Sequence, residues 1–231
     1  MGRPREHDET TRTELRAAAE RLVSEGGPAA FSVRAVADEA GTTTRAVYGL
    51  FGSKEGLLVD ALAQGAFEFL ANEIDQLSET DDPSADLAAV GLAFRRLVVE
   101  HPARYRIAFQ RIVPGLTPGP ELSRARERAF SQLRAKVQRL DDAGLIADRT
   151  VGEAAVEFNA MLEGLANAEL RGAVFRNLPE GREEQAWRNA LTTVIIGLSA
   201  GAPSRSDGEL AESPARESAA ASQGPEKHPH Q

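Results

Sequence analysis

The side chains with the most specific chemistry lie in residues 42–49 (TTTRAVYG). An arginine such as Arg45 can bind guanine through two hydrogen bonds, and a threonine such as Thr44 can hydrogen-bond a base or contact the methyl group of thymine. Tyr48 can reach a phosphate oxygen. Gly49 would let the backbone approach a nucleic acid closely, because glycine carries no side chain. Side chains of these types on one side of a helix indicate a surface that reads the base edges of DNA.

Two short helices joined by a glycine turn are predicted to position these side chains. Ser32 is expected to cap the first helix, and Gly41 to end it, because glycine adopts a positive φ without steric cost. Thr43 is expected to cap the second helix, over residues 44–51. Apolar residues at helical spacing predict the buried sides: Val33, Val36, Ala37 and Ala40, then Ala46, Val47, Leu50 and Phe51. Such a pair is a helix-turn-helix, whose second helix lies in the major groove.

The stretch from about residue 12 to residue 58 resembles the N-terminal domain of TetR-family (tetracycline-repressor-like) transcriptional regulators. The resemblance is carried by ARxxAxxAG-type spacing followed by TTTRAVYGLFGSKEGLL. One position departs from the family pattern, because Leu50 stands where many relatives carry His or another polar residue just before the Phe. That difference removes one possible phosphate contact. The resemblance implies a DNA-binding regulator, and it favours a repressor over an activator.

The predicted DNA contacts extend to basic residues around the second helix. Ser53 is expected to cap the next helix, so a phosphate there would meet both the ammonium group of Lys54 and the first backbone N–H groups. Arg3 and Arg5 lie in a polar arm that could order in the minor groove or along phosphates, or could stay solvated. The predicted DNA-binding residues are Arg3, Arg5, Ser32, Val33, Arg34, Thr43, Thr44, Arg45, Tyr48, Gly49 and Lys54. Because the net charge is −8, we expect modest non-specific affinity that depends on salt.

Composition favours helices and excludes several classes of protein. The chain of 231 residues is rich in alanine and leucine, and only 5% of it is aromatic. The absence of cysteine excludes disulfides and thiolate sites. No nucleophile elbow, phosphate-binding loop, dinucleotide fingerprint or zinc motif is present, so we expect no enzyme, no catalytic residue, no metal and no cofactor. No secretory signal and no membrane-spanning stretch is recognisable, so we expect a soluble cytoplasmic protein without membrane contact.

The predicted fold class is all-α. A helix over residues 10–25, ended by GGP at 26–28, would complete a three-helix DNA-binding domain, and one long helix over 54–77 would lead out of it. Further helices are predicted over 84–100, 103–112, 121–143, 150–171 and 183–198. The predicted divisions are a flexible basic arm (1–9), the DNA-binding domain (10–58), a helical ligand-binding and dimerisation domain (59–199) and a disordered tail (200–231).

The second half of the chain resembles the ligand domain of one TetR subgroup, which is named for a Trp-His-Gly motif. The resemblance rests on RRLVVEHPARYRIAFQRIVPGL from Arg95 and on MLEGLANAELRG from Met161. Glu163-Gly164 stand where His-Gly is typical, and no Trp precedes them. The resemblance implies a small-molecule pocket among the middle helices. The predicted lining is apolar with a few polar anchors: Phe94, His101, Tyr105, Phe109, Gln110, Phe158, Asn159, Met161, Leu162 and Glu163.

Several of these residues also have a purely structural interpretation. Phenylalanine and methionine at helical spacing are commonly core residues. His101, which precedes a proline, could instead sit at a helix end near backbone carbonyls. Glu163 lies inside an apolar helix, where an unpaired carboxylate is costly. It could therefore pair with an arginine of either protomer, or lie at the mouth of the pocket.

The last two predicted helices are more apolar on both sides than a surface helix requires. The excess would be used if two copies packed them together in a four-helix bundle. Alternatively, both helices fill the core of one monomer. A homodimer is favoured because one recognition helix reads too few base pairs for tight binding, whereas two would read a palindromic operator. The partners expected are thus DNA, a second copy and an unknown small-molecule effector. A helical protein-interaction module without DNA binding is the alternative.

Overall fold

The computed structural model describes residues 5–110 and 119–200, apart from the side chains of residues 5–7 and 28–29. These residues form only helices joined by turns, which confirms the all-α prediction. The α-helices are α1 (Arg5–Ala30), α2 (Val33–Glu39), α3 (Thr44–Phe51), α4 (Lys54–Leu58), α5 (Gly65–Asp75), α6 (Pro83–Glu100), α7 (Pro102–Phe109), α8 (Pro120–Asp142), α9 (Val151–Arg171) and α10 (Glu183–Ser199). A π-helical segment (Val59–Gln64) joins α4 to α5, and a short 3₁₀ turn (Phe175–Asn177) precedes α10. None of the described helices is both long and apolar enough to cross a membrane.

The helix starts around α2 and α3 are those predicted from the sequence. The side chains of Ser32, Thr43 and Ser53 each accept a hydrogen bond from the backbone N–H three residues further on. Each bond satisfies a donor that has no partner within its own helix. Gly41, between α2 and α3, has φ +63°, and Gly52, after α3, has φ +73°. Thr43 and Gly52 therefore define the two ends of α3, and Ser32 and Ser53 define the starts of α2 and α4.

Helix α1 is longer than predicted. Residues 5–9, predicted as part of a flexible arm, already belong to it, while residues 1–4 lie outside the described residues. The expected break at the glycines is present as a kink, with Gly27 at φ 69° and ψ −176°, but helical turns resume up to Ala30. The helix begins early because Asp8 and Glu9 near its start carry negative charge, which complements the helix dipole.

The predicted single helix over residues 54–77 is divided by the π segment. Within it Asp60, Ala61, Leu62, Ala63 and Gln64 are all buried. Five successive buried residues, two of them polar, do not fit the single apolar side of a regular surface α-helix. The segment packs against α1, α7 and α8 at once. It therefore lies at the junction between the helix-turn-helix and the rest of the molecule.

The remaining helices pack around a single hydrophobic core. Residues at helical spacing form the inward side of α6: Leu87, Val90, Gly91, Phe94, Leu97 and Val98, with Asp86 and Ala93 also buried. Helix α9 begins with a capping box between Thr150 and Glu153. A continuous cluster of buried apolar side chains extends from Leu15 in α1 to Leu198 in α10. Residues 111–118 and the predicted tail from 201 onward lie outside the described part of the chain.

Candidate DNA-binding face and ligand cavity

Helix α3 presents the predicted base-reading side chains to solvent. Val47 is fully buried and anchors the helix, whereas Thr44, Arg45, Tyr48 and Gly49 are exposed. Tyr48 is 53% exposed although its ring is large and apolar. Nothing lies within 4 Å of the position that a Cβ of Gly49 would take. The exposed side of α3 is thus polar, protruding and open to the approach of a second molecule.

The neighbouring predicted contacts divide into exposed and buried side chains. Thr43, Ser32 and Arg34 are exposed, and the side chain of Arg34 is 88% exposed. Val33 is 8% exposed and lies on the buried side of α2, as its helical spacing predicts, so its side chain faces the core. It lies at the first position of α2, so its backbone N–H points out of the helix start.

The remaining basic residues surround the same region. The ammonium group of Lys54 lies 5.5 Å from the centre of the Phe31 ring. That cation–π contact holds the charge at the start of α4, where an anion is favoured. Arg5 is the first residue of α1, and Arg3 lies outside the described residues.

Arg12 fixes the end of the recognition helix, and sequence reasoning missed it. Its Nη1 lies 2.5 Å from Oδ2 of Asp60, and its Nη2 donates to the carbonyl oxygen of Leu50 at 3.1 Å. The guanidinium also lies 4.9 Å from the centre of the Phe51 ring. Arg16 donates to the other oxygen of Asp60. The last turn of α3 is thereby connected through α1 to the π segment.

A second polar cluster joins α1 to α7. Glu20 accepts from Arg104 at 2.5 Å, and its other oxygen lies 2.8 Å from Nδ1 of His101. The ring of His101 also meets Phe69 edge-on at 4.9 Å. His101 was predicted as a pocket anchor, and the structure corrects this, because the side chain is engaged between helices and does not line the cavity.

A cavity with about 380 Å³ of empty space, part of it open to solvent, lies among α5, α6, α7, α8 and α9. Its lining is almost wholly apolar and consists of Phe67, Leu70, Ile74, Val90, Phe94, Phe109, Ala129, Phe130, Leu133, Asn159 and Leu162. Of the predicted pocket residues, Phe94, Phe109, Asn159 and Leu162 are present in it. An apolar lining with few polar groups is typical of a small-molecule site.

The other predicted pocket residues lie elsewhere. Phe158 is fully buried in the core, and Met161 is 38% exposed on the outer side of α9. Gln110 donates to Asn167 at 2.8 Å. Tyr105 and Glu163 adjoin the cavity without lining it. The sequence could not identify Phe67 and Phe130 as lining residues, because their direction depends on the π segment and on how α8 packs.

Tyr105 and Glu163 form a polar end beside the cavity. The Tyr105 ring stacks on Phe109 at 5.2 Å and meets Phe94 edge-on at 5.9 Å. Burial, with the nearby charge of Glu163 as a second cause, raises the pKa of Tyr105 to about 12. Glu163 accepts from the side-chain amide of Asn159 at 2.7 Å. The carboxylate forms no ion pair with any described residue, so a pairing arginine is not found there.

The outer sides of α9 and α10 retain exposed apolar groups. Val156 is 69% exposed, and Ile196 is 64% exposed. The small residues Ala160 and Gly164 of α9 also face outward, whereas Ala154 and Ala155 are buried. Exposed apolar side chains gathered on two adjacent helices are typical of an association surface.

Two family models match the chain. Residues 15–61 match the bacterial regulatory proteins of the tetR family, and residues 87–194 match the tetracyclin repressor-like C-terminal domain. The HTH-type transcriptional regulator Rv1816 of Mycobacterium tuberculosis is 27% identical over 174 residues, which cover 74% of this chain and 64% of that protein. The chain therefore spans less than two thirds of the length of the curated relatives it matches.

Solved structures share the arrangement of helices. A protein of unknown function from Rhodococcus sp. RHA1 superposes with a TM-score of 0.70 at 23% identity, over 82% of this chain and 96% of that one. The regulator PfmR from Thermus thermophilus gives a TM-score of 0.57 at 27% identity, over 79% of this chain and 96% of that one. The first of these matches is a protein of unknown function, and the second is a transcriptional regulator.

Proposed function

This chain belongs to the TetR family of bacterial regulatory proteins, and from that membership we propose that it represses transcription by binding a palindromic operator as a homodimer. The observation that carries the proposal is the capped, exposed helix α3 with Thr44, Arg45 and Tyr48 on its open side. In this proposal residues 10–58 bind DNA in the cytoplasm, and residues 59–199 bind the effector and the second protomer.

The proposed contacts divide into base reading and phosphate binding. Arg45 binds a guanine edge and Thr44 a base or thymine methyl, so both carry sequence preference. Tyr48, Arg34 and Lys54 bind phosphates and fix the position of α3 in the groove. Because the chain as a whole is acidic, these few cations supply the non-specific affinity. That affinity is expected to fall steeply with added salt.

Two copies are proposed to associate through the outer sides of α9 and α10. Val156 and Ile196 supply exposed apolar area, and Ala160 and Gly164 allow close approach of the helices. A two-fold axis there would present two α3 helices to one face of the duplex. They would fit successive major grooves when about 34–36 Å apart.

Release is proposed to follow effector binding in the cavity. Phe109 of α7 and Phe67 of α5 line the cavity, and the π segment lies between α7 and α1. A ligand that separates α5 from α7 would move the segment, and with it the Asp60–Arg12 contact to the end of α3. By linkage, operator DNA would weaken effector binding by the same factor.

The experiment that tests the proposal is a fluorescence-anisotropy titration against the DNA flanking the gene, at two salt concentrations. We expect saturable binding at nanomolar protein, with one or two dimers per palindromic site. The variants Arg45→Ala and Tyr48→Ala should lose this affinity while retaining the helical circular-dichroism spectrum. Arg124→Ala is the matched control, because Arg124 is an exposed arginine whose one ion-pair partner among the described residues is Glu121 on its own helix.

The opposite result has a clear meaning. Weak, sequence-blind binding that disappears at physiological salt, both here and in a random-sequence selection, would contradict the proposal. The chain would then be better described as a helical protein-interaction module.

A further inference from the structure

We propose that the cavity takes a small aromatic molecule that carries one hydrogen-bond donor, a hydroxyl or an ammonium group, and that it rejects carboxylates. The inference rests on the proposed effector role of the cavity and names the chemistry of the ligand. It is drawn from three features: the rings of the wall, a buried hydroxyl without a partner, and a carboxylate next to both.

The wall of the cavity is built from phenyl rings. Phe67, Phe94, Phe109 and Phe130 all line it, and the ring of Phe109 lies 5.2 Å from that of Phe67 and 5.3 Å from that of Phe94. The rings meet at tilted and edge-on angles, which are the preferred arrangements of aromatic pairs. A planar ring can join such a cluster by the same contacts. Among the described residues that line the cavity, Asn159 is the only polar one.

The hydroxyl of Tyr105 is the least satisfied polar group in this region. Its oxygen is inaccessible to water and has no hydrogen-bond partner among the described residues. The residue as a whole is 0% exposed. Buried hydroxyls nearly always have a partner, so an orphan requires an explanation. Its ring contacts Phe94 and Phe109, both of which line the cavity, so a ligand held by these rings would lie next to it.

The carboxylate of Glu163 decides the charge of the ligand. The side-chain amide of Asn159 already donates to it, and an ionised carboxylate can only accept further hydrogen bonds. A ligand hydroxyl would donate to Glu163 and accept from Tyr105, and an ammonium would donate to both. An ammonium would also be attracted by the surrounding ring faces. A ligand carboxylate would face the charge of Glu163 in an apolar surrounding, where repulsion is poorly screened.

Four single-ring probes of similar size test the inference. Phenol, benzylamine in its protonated form, benzoate and toluene would be titrated into the full chain by ligand-detected NMR. We expect phenol or benzylammonium to bind about tenfold more tightly than benzoate and toluene. The better of the two donors would identify the group as hydroxyl or ammonium.

Two variants locate the donor preference. Tyr105→Phe removes an unpartnered hydroxyl and Glu163→Gln removes a charge without an ion pair, so both should fold. We expect phenol to lose its advantage in Tyr105→Phe, and benzylammonium to lose its advantage in Glu163→Gln. Met161→Leu is the control, because Met161 lies on the outer side of the same helix.

Three results would overturn the inference: benzoate binding as tightly as the donor probes, donor preference unchanged in both variants, or no saturable binding of any ring. These readouts do not involve DNA. Failure of the proposed function would instead appear in the anisotropy titration, so the two failures can be told apart.

Discussion

Replacing Asp60 with asparagine should destabilise the fold, because the carboxylate holds two arginines at the junction of α1 and the π segment. The residue is 9% exposed, and its two oxygens are divided between Arg12 and Arg16. Asparagine has a similar volume but no charge, and its NH₂ group would face a guanidinium. Asp60→Asn therefore removes the negative charge and leaves one acceptor oxygen for two arginines, without opening a cavity.

The expected magnitude follows from the exposure of the partners. Removing one member of a fully buried ion pair costs about 3–5 kcal/mol. The side chains of Arg12 and Arg16 are 29% and 28% exposed, so water can solvate part of each released charge. We expect a loss of about 2–3 kcal/mol in the free energy of unfolding, below the fully buried case. Because Arg12 also holds the carbonyl of Leu50, operator affinity should fall as well, at protein concentrations where the variant is folded.

The assay is urea denaturation followed by circular dichroism, with the slope of the transition compared between variants. Asp75→Asn is the matched control, because Asp75 also pairs with an arginine, Arg128, but both side chains are about half exposed. Exposed pairs of this kind contribute about 0–1 kcal/mol. Equal losses in Asp60→Asn and Asp75→Asn would refute the reasoning. So would strictly additive effects of Asp60→Asn and Arg12→Ala, because residues in one contact should be coupled.

Four further predictions follow from other contacts. Gly91→Ala should lower the free energy of unfolding by about 1–3 kcal/mol in urea denaturation, because its Cβ would lie 2.3 Å from Cδ2 of Leu191. Gly152→Ala is the control and should not lower it, because the nearest described atom to its Cβ would be 3.9 Å away. Tyr105→Phe should leave the free energy of unfolding unchanged or raise it by up to about 1 kcal/mol, because the hydroxyl has no described partner. Burial raises the pKa of Asp86, but hydrogen bonds from Thr80 and Arg139 lower it more, so the pKa lies below its usual value. The carboxylate therefore stabilises the fold above about pH 4, and this contribution is lost as the pH falls further. When urea denaturation is repeated from pH 5 to pH 2, Asp86→Asn should lose less stability than the parent. Ile196→Glu should give monomers in light scattering with unchanged circular dichroism, and dimers of this variant would contradict the proposed interface.

The features predicted correctly from the sequence are those fixed by neighbouring residues. Ser32, Thr43 and Ser53 cap their helices through bonds that span three residues. The inward side of α6 follows from helical spacing alone. Helix caps and helical spacing can be predicted from the sequence without knowing which elements pack against the helix.

The features that were missed depend on distant parts of the chain. Arg12 and Asp60 are 48 residues apart, and His101 bonds to Glu20 across 81 residues. The sequence allows His101 to be a pocket residue or a helix-end residue, and its contact with Glu20 depends on how α1 packs against α7. Phe130 could not be assigned to the cavity, because a helical pattern gives the apolar side of α8 but not its neighbour.

The π segment has a consequence for the phase of the helix that contains it. Each residue of an α-helix turns the chain by about 100°, since a turn holds 3.6 residues. A π turn holds more residues, so it acts as an insertion absorbed without breaking the rod. Residues 59–64 thus place more residues between α4 and α5 than regular α winding would need. The segment in this way connects the side of α4 that meets the helix-turn-helix to the side of α5 that meets the cavity. Deleting one residue there would remove the residue that the π turn absorbs and favour regular α winding, so Phe67 would keep its side of the helix. A deletion in a regular α-helical part before Phe67 would instead rotate Phe67 by about 100° out of the cavity wall.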